Sequence, residues 1–465
     1  MDRKEKLFKN TIAYTIGNFG TKILAYVLVL VYTHFIPSKE LGYYDLIITT
    51  VSLFTPIILL MFDDGVYRWL IDANEKDKGL IIATCLRTIT SMTIFSIAVL
   101  LLVNNFYPIK YIASIIVFLS SSMIYNLFLN SVRGLGNSFL YATSGIVNSV
   151  TLLVLELIGL TVFDLGVEAL LVSKGISNVI TIVFIYFKQK EFKGVLKSPF
   201  NKTLAKDILK YSAPLIPNNI CWWIVNSSDR YIILFFLGAS FNGIYSISNK
   251  FPTIVTTISS IFYFSFQEAM IKEFDAQDRD EFYSNIFKKY YILLFSLIIC
   301  GIPATKIVVE LFTGVEYHSA WMYSGFLYLS TVYSALSGLL GIGYQISKET
   351  KRSVLSTVGA SFINIFINIC AISFLGLHAA SLSTFIAYFY LLIIRLKHTK
   401  KYFKLKIEWR QFILLNLLSL VMIVITYITS IHVCIALTVL AVFMLVYLNK
   451  EIVLSIIDKV LRKRR

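Results

Sequence analysis

The sequence predicts an all-α polytopic membrane protein of about fourteen transmembrane helices, and three observations predict it. Apolar runs of roughly 20 residues, enough to span a bilayer as a helix, recur along the whole chain. Only 15% of its 465 residues are charged and 57% are apolar, too little polar surface to cover a soluble core of this size. The basic residues that give the net charge of +16 sit in the gaps between the apolar runs. That placement follows the positive-inside rule and argues against a nucleic-acid partner.

The runs place helices near 11–36, 41–67, 79–103, 110–130, 139–162 and 166–187. A second set lies near 211–237, 243–267, 290–311, 320–345, 353–375 and 377–396, and two more near 411–430 and 432–448. The opening MDRKEKLFKN resembles the charged start of a signal peptide. The apolar stretch to Ile36 is too long for one and lacks a small-residue cleavage site, so it reads as an uncleaved first span.

Lys and Arg alternate in density from loop to loop. One side holds clusters such as Lys188 to Lys210 and Arg395 to Arg410, whereas the other holds only Lys39 and Lys110. The dense side is expected to be the cytoplasm, with both termini there, in an inner (plasma) membrane. Losing the last hairpin would leave this pattern intact, so twelve spans also satisfy it. The sparse-side loops are as short as PSKEL, FDLG and GASFN, which leaves the work to be done inside the membrane. The tail KEIVLSIIDKVLRKRR reads as a basic amphipathic helix for the inner leaflet, or a simple topology anchor. Cys85, Cys221, Cys300, Cys370 and Cys434 all fall in apolar runs without CxxC spacing and read as small buried hydrophobes. No metal and no cofactor is implied.

An offset of 201 residues superposes Lys9 on Lys210, Asn18 on Asn219, Gly42 on Gly243 and Tyr44 on Tyr245. Each copy has a long helix, a five-residue loop and Gly-x-Tyr opening the next helix. The expected organisation is a six-helix lobe over 1–187, a basic linker over 188–210 and a second six-helix lobe over 211–396. An extra hairpin over 411–448 and the tail 449–465 follow. With six spans per copy the repeats are parallel, and two such lobes would enclose a central cavity.

Ionisable residues deep in a span are costly and are functional candidates by default. Here they are Lys22, Arg87, Glu156, Lys174, Asp229, Arg230, Lys250, Lys306 and Glu310. Lys22 lies midway along its span, too deep to reach the interface. Glu156 and Lys174 are equally distant from the turn between spans 5 and 6, and an ion pair is expected there. Asp229 or Arg230 has the same relation to Lys250. Lys306 and Glu310 have the i,i+4 spacing of a local pair. Basic residues outnumber acids six to three in this set, which suits an anionic headgroup better than a cationic drug. Pro214 and Pro217 remove backbone donors early in span 7, the expected mark of a hinge or portal.

The stretch YSAPLIPNNICWWIVNSSDRYIILFFLGASFNGIYSISNKFP, 211–252, resembles the Wzx-type polysaccharide-biosynthesis flippases of the multidrug/oligosaccharidyl-lipid/polysaccharide exporter superfamily. The resemblance rests on Pro214, Pro217, Asp229, Arg230, Gly243, Tyr245 and Ser246. Gly42-Tyr43-Tyr44 after the first helix, together with the length and span count, extends it along the chain. It implies translocation of undecaprenyl-diphosphate-linked oligosaccharide repeat units to the outer leaflet, for O-antigen, lipopolysaccharide or capsule. It also implies contact with membrane lipids, a polymerase and a chain-length regulator. It assigns Lys22, Arg87, Lys174, Arg230 and Lys250 as candidate cavity cations for the diphosphate. Glu156 and Asp229 become candidates for a coupling ion.

Two other classes compete. A cation-coupled multidrug or small-molecule exporter of the same superfamily would want a surplus of deep acids. A membrane enzyme would need an outer catalytic loop, and His34, His318, His378 and His432 are scattered singly without an acid–base constellation. No GxxxxGK[ST] phosphate loop occurs.

Overall fold

A computed structural model describes residues 24–195, 197–274, 276–347, 349–451 and 454. Among the described residues the regular structure is helical, with no strand. Eleven of their helices are long and apolar enough to cross a membrane. The first expected span lies partly outside the described residues, and only 24–32 of it, α1, is seen as helix. Lys22 and the tail beyond 454 also fall outside them. The seventh and eighth expected spans are each built from two shorter helices.

Two compact units divide the chain, Met1–Trp223 and Ile224–Arg465. In the first, α2 (Ser38–Ile58) is followed by α3 (Phe62–Ile71), α4 (Glu75–Phe106), α5 (Ile112–Gly134), α6 (Ser138–Thr161) and α7 (Val167–Lys188). The single helix expected over 41–67 is broken, because Leu60 and Met61 take left-handed backbone angles, φ 50° and 54°. The Ser212 hydroxyl donates to the carbonyl of Leu60 at 2.8 Å, satisfying a group the break frees. Ser212 ends α8 (Lys202–Ser212), whose Ile208 is fully buried against Gly65. A Cβ on Gly65 would come within 2.5 Å of Ile208 Cγ2, so glycine is what admits the helix this closely. Asn201 caps α8 by accepting from the Leu204 N–H at 3.0 Å. α6 and α7 meet at Gly159, where a Cβ would lie 2.8 Å from that of Ala169.

α9 (Ile216–Ser227) carries the chain from one unit to the next. The second unit then has α10 (Asp229–Phe236), α11 (Ala239–Lys250), α12 (Pro252–Lys272), α13 (Arg279–Phe312) and α14 (Ala320–Ile346). It ends with α15 (Thr350–Leu375), α16 (Leu377–Thr399), α17 (Trp409–Ile428) and α18 (Ile431–Leu448). α12 starts at Pro252, where the missing N–H does no harm in a first turn. α17 and α18 pack on α13. Asn449 donates to Ser296 Oγ at 2.9 Å, and Tyr291 donates to Gln411 at 3.0 Å.

Two basic residues depart from expectation here. Lys306 is buried and donates to the carbonyls of Thr426 and Thr429, at 3.0 and 2.7 Å. It therefore caps the C-terminal end of α17, where the helix dipole favours a cation, instead of pairing with Glu310. Its ammonium also lies 4.3 Å from the Trp321 ring. Arg395, grouped by sequence with the dense-side basic cluster at the end of the span expected over 377–396, is 2% exposed. Its guanidinium donates to the Ser337 carbonyl at 2.8 Å and to the hydroxyls of Thr357 and Ser356. The cysteines are free thiols: Cys85 and Cys434 are buried, Cys221 and Cys300 half-buried, and Cys370 exposed, so burial holds for only two of the five.

Candidate functional site: a buried carboxylate and its counterpart

The second unit holds a buried polar cluster on four helices. Asp229 opens α10 immediately after the helix break at Ser228 and is 1% exposed. Its Oδ2 accepts from the Tyr245 hydroxyl of α11 at 2.6 Å and from the Thr384 hydroxyl of α16 at 3.3 Å. Thr384 in turn accepts from Asn364 Nδ2 of α15 at 3.1 Å, and Asn364 Oδ1 accepts from Ser228 at 3.2 Å. Asn226 accepts from Tyr388 at 2.6 Å beside them. Among the described residues, Asp229 Oδ1 and both amide atoms of Asn368 have no hydrogen-bond partner. Asn368 is fully buried one turn beyond Asn364. Unpaired buried polar atoms cost free energy, so the cluster is incompletely satisfied as it stands.

Arg230, the next residue, is half-buried. Its guanidinium donates to the Asn226 carbonyl at 2.6 Å and stands 5.7 Å from the centre of the Tyr245 ring. Tyr245 thus touches the acid through its hydroxyl and the base through its ring. Lys250 is the half-buried last residue of α11.

In the first unit Tyr44, which the 201-residue offset places opposite Tyr245, has an equivalent setting. It is buried, with the Lys174 ammonium 5.7 Å from its ring centre. It also lies within electrostatic reach of Glu156, which is 2% exposed on α6. Lys174 stands eight residues after Gly166, and Thr384 eight residues after Gly376. Both glycines have φ +54°, a left-handed angle that glycine accepts at no cost. They form like turns, between α6 and α7 and between α15 and α16, and eight residues on, one helix carries an ammonium and the other a hydroxyl. Around Lys174 runs a polar seam. Asn148 donates to Asn178 at 3.1 Å and to Thr181 at 3.3 Å, and Asn178 donates to Ser122 at 3.1 Å.

The remaining candidates are more dispersed. Arg87 is half-buried on α4. Pro214 lies in a 3₁₀ turn, Ala213–Leu215, and Pro217 at the second position of α9; both are exposed. The α-helix within expected span 7 is interrupted twice, by the 3₁₀ turn that holds Pro214 and again at Ser228. Sequence reasoning missed Tyr245's partner role, Thr384, Asn364 and Asn368. Two amides four residues apart inside an apolar span, on one helix face, were the available signal.

Solved structures share this fold. A lipid II flippase MurJ in an inward closed conformation matches with a TM-score of 0.69 and 14% identity, over 95% of this chain and 100% of that one. An inward-facing multidrug resistance MATE family transporter of the MOP superfamily matches with 0.65 and 13%, over 87% and 95%. A MOP superfamily transporter from Pyrococcus furiosus matches with 0.60 and 15%, over 90% and 97%. No curated protein matches by sequence. The family model for polysaccharide biosynthesis proteins matches residues 7–271, more than half of the chain. This multi-pass membrane chain with the fold of flippases and transporters therefore belongs to the polysaccharide biosynthesis protein family.

Proposed function

We propose that the chain flips undecaprenyl-diphosphate-linked oligosaccharide repeat units from the inner to the outer leaflet by alternating access, for O-antigen or capsule synthesis. The observation that carries this reading is the surplus of half-buried cations, Arg87, Lys174, Arg230 and Lys250, in a chain of this family. Lipid II, named for the MurJ flippase, supports a lipid-linked substrate. In this reading both termini are cytoplasmic and the lobes are 1–187 and 211–396. The hairpin 411–448 is an accessory, and Lys22 joins the diphosphate-binding cations. Pro214 and Pro217, at the entry to α9, serve as a hinge or portal. A polymerase and a chain-length regulator receive the product.

Each negative charge moved outward across about 100 mV gains about 2.3 kcal/mol, so a diphosphate carries its own driving force. Asp229, with Glu156 as the lesser candidate, binds a coupling cation or proton whose release resets the protein. A second reading, a cation-coupled small-molecule exporter, is favoured by the incompletely satisfied carboxylate of Asp229 and by the likeness to the MATE fold.

Deleting the gene and restoring it with wild type or Arg230→Gln distinguishes the two. The flippase reading expects an undecaprenyl-diphosphate oligosaccharide to accumulate on the inner leaflet, surface glycan to fall, and Arg230→Gln to restore neither fully. Unchanged surface glycan with increased sensitivity to toxic cations would instead establish the exporter.

A further inference from the structure

A cavity of about 640 Å³ lies in the first unit, between the α3–α4 turn and α8. That is within the roughly 300–1,000 Å³ range of small-molecule sites. Its aromatic side is Trp69 and Tyr211, edge to face with ring centres 5.4 Å apart. Leu80, Ile81 and Leu204 give it an apolar wall. Exposed Asp72, Asn74 and Asp77 line it too, with Asn201 half-buried from α8. Arg68 also lines it but is committed to Asp72 by an ion pair.

We infer that this cavity is a docking site for uncharged pyranose residues of the lipid-linked glycan before translocation. The inference rests on the flippase reading and on its assignment of this side to the cytoplasm. Three features point to sugar. Flat aromatic faces pack against the apolar C–H face of a pyranose, as they do against any apolar surface. Carboxylate and amide groups around them accept and donate to vicinal hydroxyls in pairs, the geometry fixed polar groups use for orientation. One guanidinium against two carboxylates leaves the lining net acidic, which disfavours a diphosphate or a uronic acid.

The location fits the same ligand. The first turns of α4 carry Glu75, Lys76, Asp77 and Lys78, and the apolar run begins at Leu80. The cavity therefore straddles the passage from aqueous to apolar surroundings. A headgroup would present its sugars there while its prenyl chain stayed in the bilayer. The deep cations then take the diphosphate and this cavity takes the glycan, so recognition of lipid carrier and of sugar is divided between different residues.

The test uses the full chain in lipid nanodiscs and two probes. One is bare undecaprenyl diphosphate. The other is the undecaprenyl-diphosphate oligosaccharide extracted from a strain lacking this protein. Wild type should bind the glycosylated probe about tenfold more tightly than the bare one, and Trp69→Ala should remove most of that gain. Asp77→Asn, an exposed substitution that leaves the fold undisturbed, should reduce the gain in the same direction. Both variants should hold the bare lipid as wild type does. Equal binding of the two probes by wild type overturns the sugar site and leaves the flippase reading standing. Binding of neither probe overturns the flippase reading and the site together. A gain that survives in both variants assigns the glycan to other residues and also overturns the inference.

Discussion

The Tyr245 hydroxyl donates to Asp229 over 2.6 Å with both residues sealed from solvent, while the second carboxylate oxygen goes without a partner. One half of the carboxylate is held rigidly and the other is left open. Tyr245→Phe removes the stronger hold, and a hydrogen bond of this kind contributes about 1–3 kcal/mol. The variant should unfold at lower temperature in detergent and change the cation or pH dependence of transport. Thr384→Val, which loses a 3.3 Å contact, should do less of both. Equal thermal losses with unaltered cation dependence would make the cluster purely structural.

Lys306 is one of the links between α13 and the final hairpin. Lys306→Met leaves the Thr426 and Thr429 carbonyls without their donor and removes the cation beside Trp321. The expected loss is about 2–3 kcal/mol. Limited proteolysis between α16 and α17 should become faster, while cleavage in the first unit stays unchanged. A hairpin as resistant as wild type would show that Asn449–Ser296 and Tyr291–Gln411 hold it without the lysine.

Gly159 sets how closely α6 approaches α7 at Ala169. Gly159→Val places a branched side chain where a single Cβ already falls 2.8 Å from Ala169. Overpacking of this kind costs about 1–3 kcal/mol. Thermal unfolding checks the cost. Gly166→Ala, which meets nothing within 4 Å, should destabilise by backbone strain alone, since its φ is +54°.

Outside the spans, Glu349 binds Lys401 at 2.7 Å and Arg352 at 2.9 Å. The Lys401 hydrogen bond, foremost, holds the Glu349 carboxyl below its usual value. A depressed acid contributes stability above its unfolded pKa and loses it as pH falls through the folded one. Acidifying from neutral to below the ordinary carboxylate range should therefore loosen the contact between the start of α15 and the loop after α16. Hydrogen exchange in 400–406 should rise on acidification in wild type. In Glu349→Gln it should already be high at neutral pH and respond less to acid.

Much of this architecture was legible in the sequence, because a bilayer rewards the same simple signal everywhere: an apolar run with polar ends. The helices at 112–134, 138–161 and 167–188 follow it closely. What was not legible came from groups that do not change hydropathy. Leu60 and Met61 break span 2 through left-handed backbone angles that no glycine announces. Pro214 sits in the 3₁₀ turn between α8 and α9, whereas the second break falls at an unremarkable Ser228. Lys306 has an acid four residues away and instead binds carbonyls 120 and 123 positions on. At the candidate site, Asp229 was visible as a buried charge. Its partners Tyr245 and Thr384, and Asn364 behind Thr384, come from three other helices, and only the fold brings them together.

The most direct test of the central claim is reconstitution. The purified chain is placed in vesicles whose undecaprenyl-diphosphate oligosaccharide lies in one leaflet, with a membrane potential imposed. Arrival of the glycan in the opposite leaflet is followed by its accessibility to an impermeant glycosidase. The account predicts transfer faster than in protein-free vesicles and strengthened by the potential. It also predicts that Arg230→Gln and Asp229→Asn slow the transfer while remaining folded. Transfer no faster than in protein-free vesicles, with the chain folded and the lipid-linked glycan present, would contradict it.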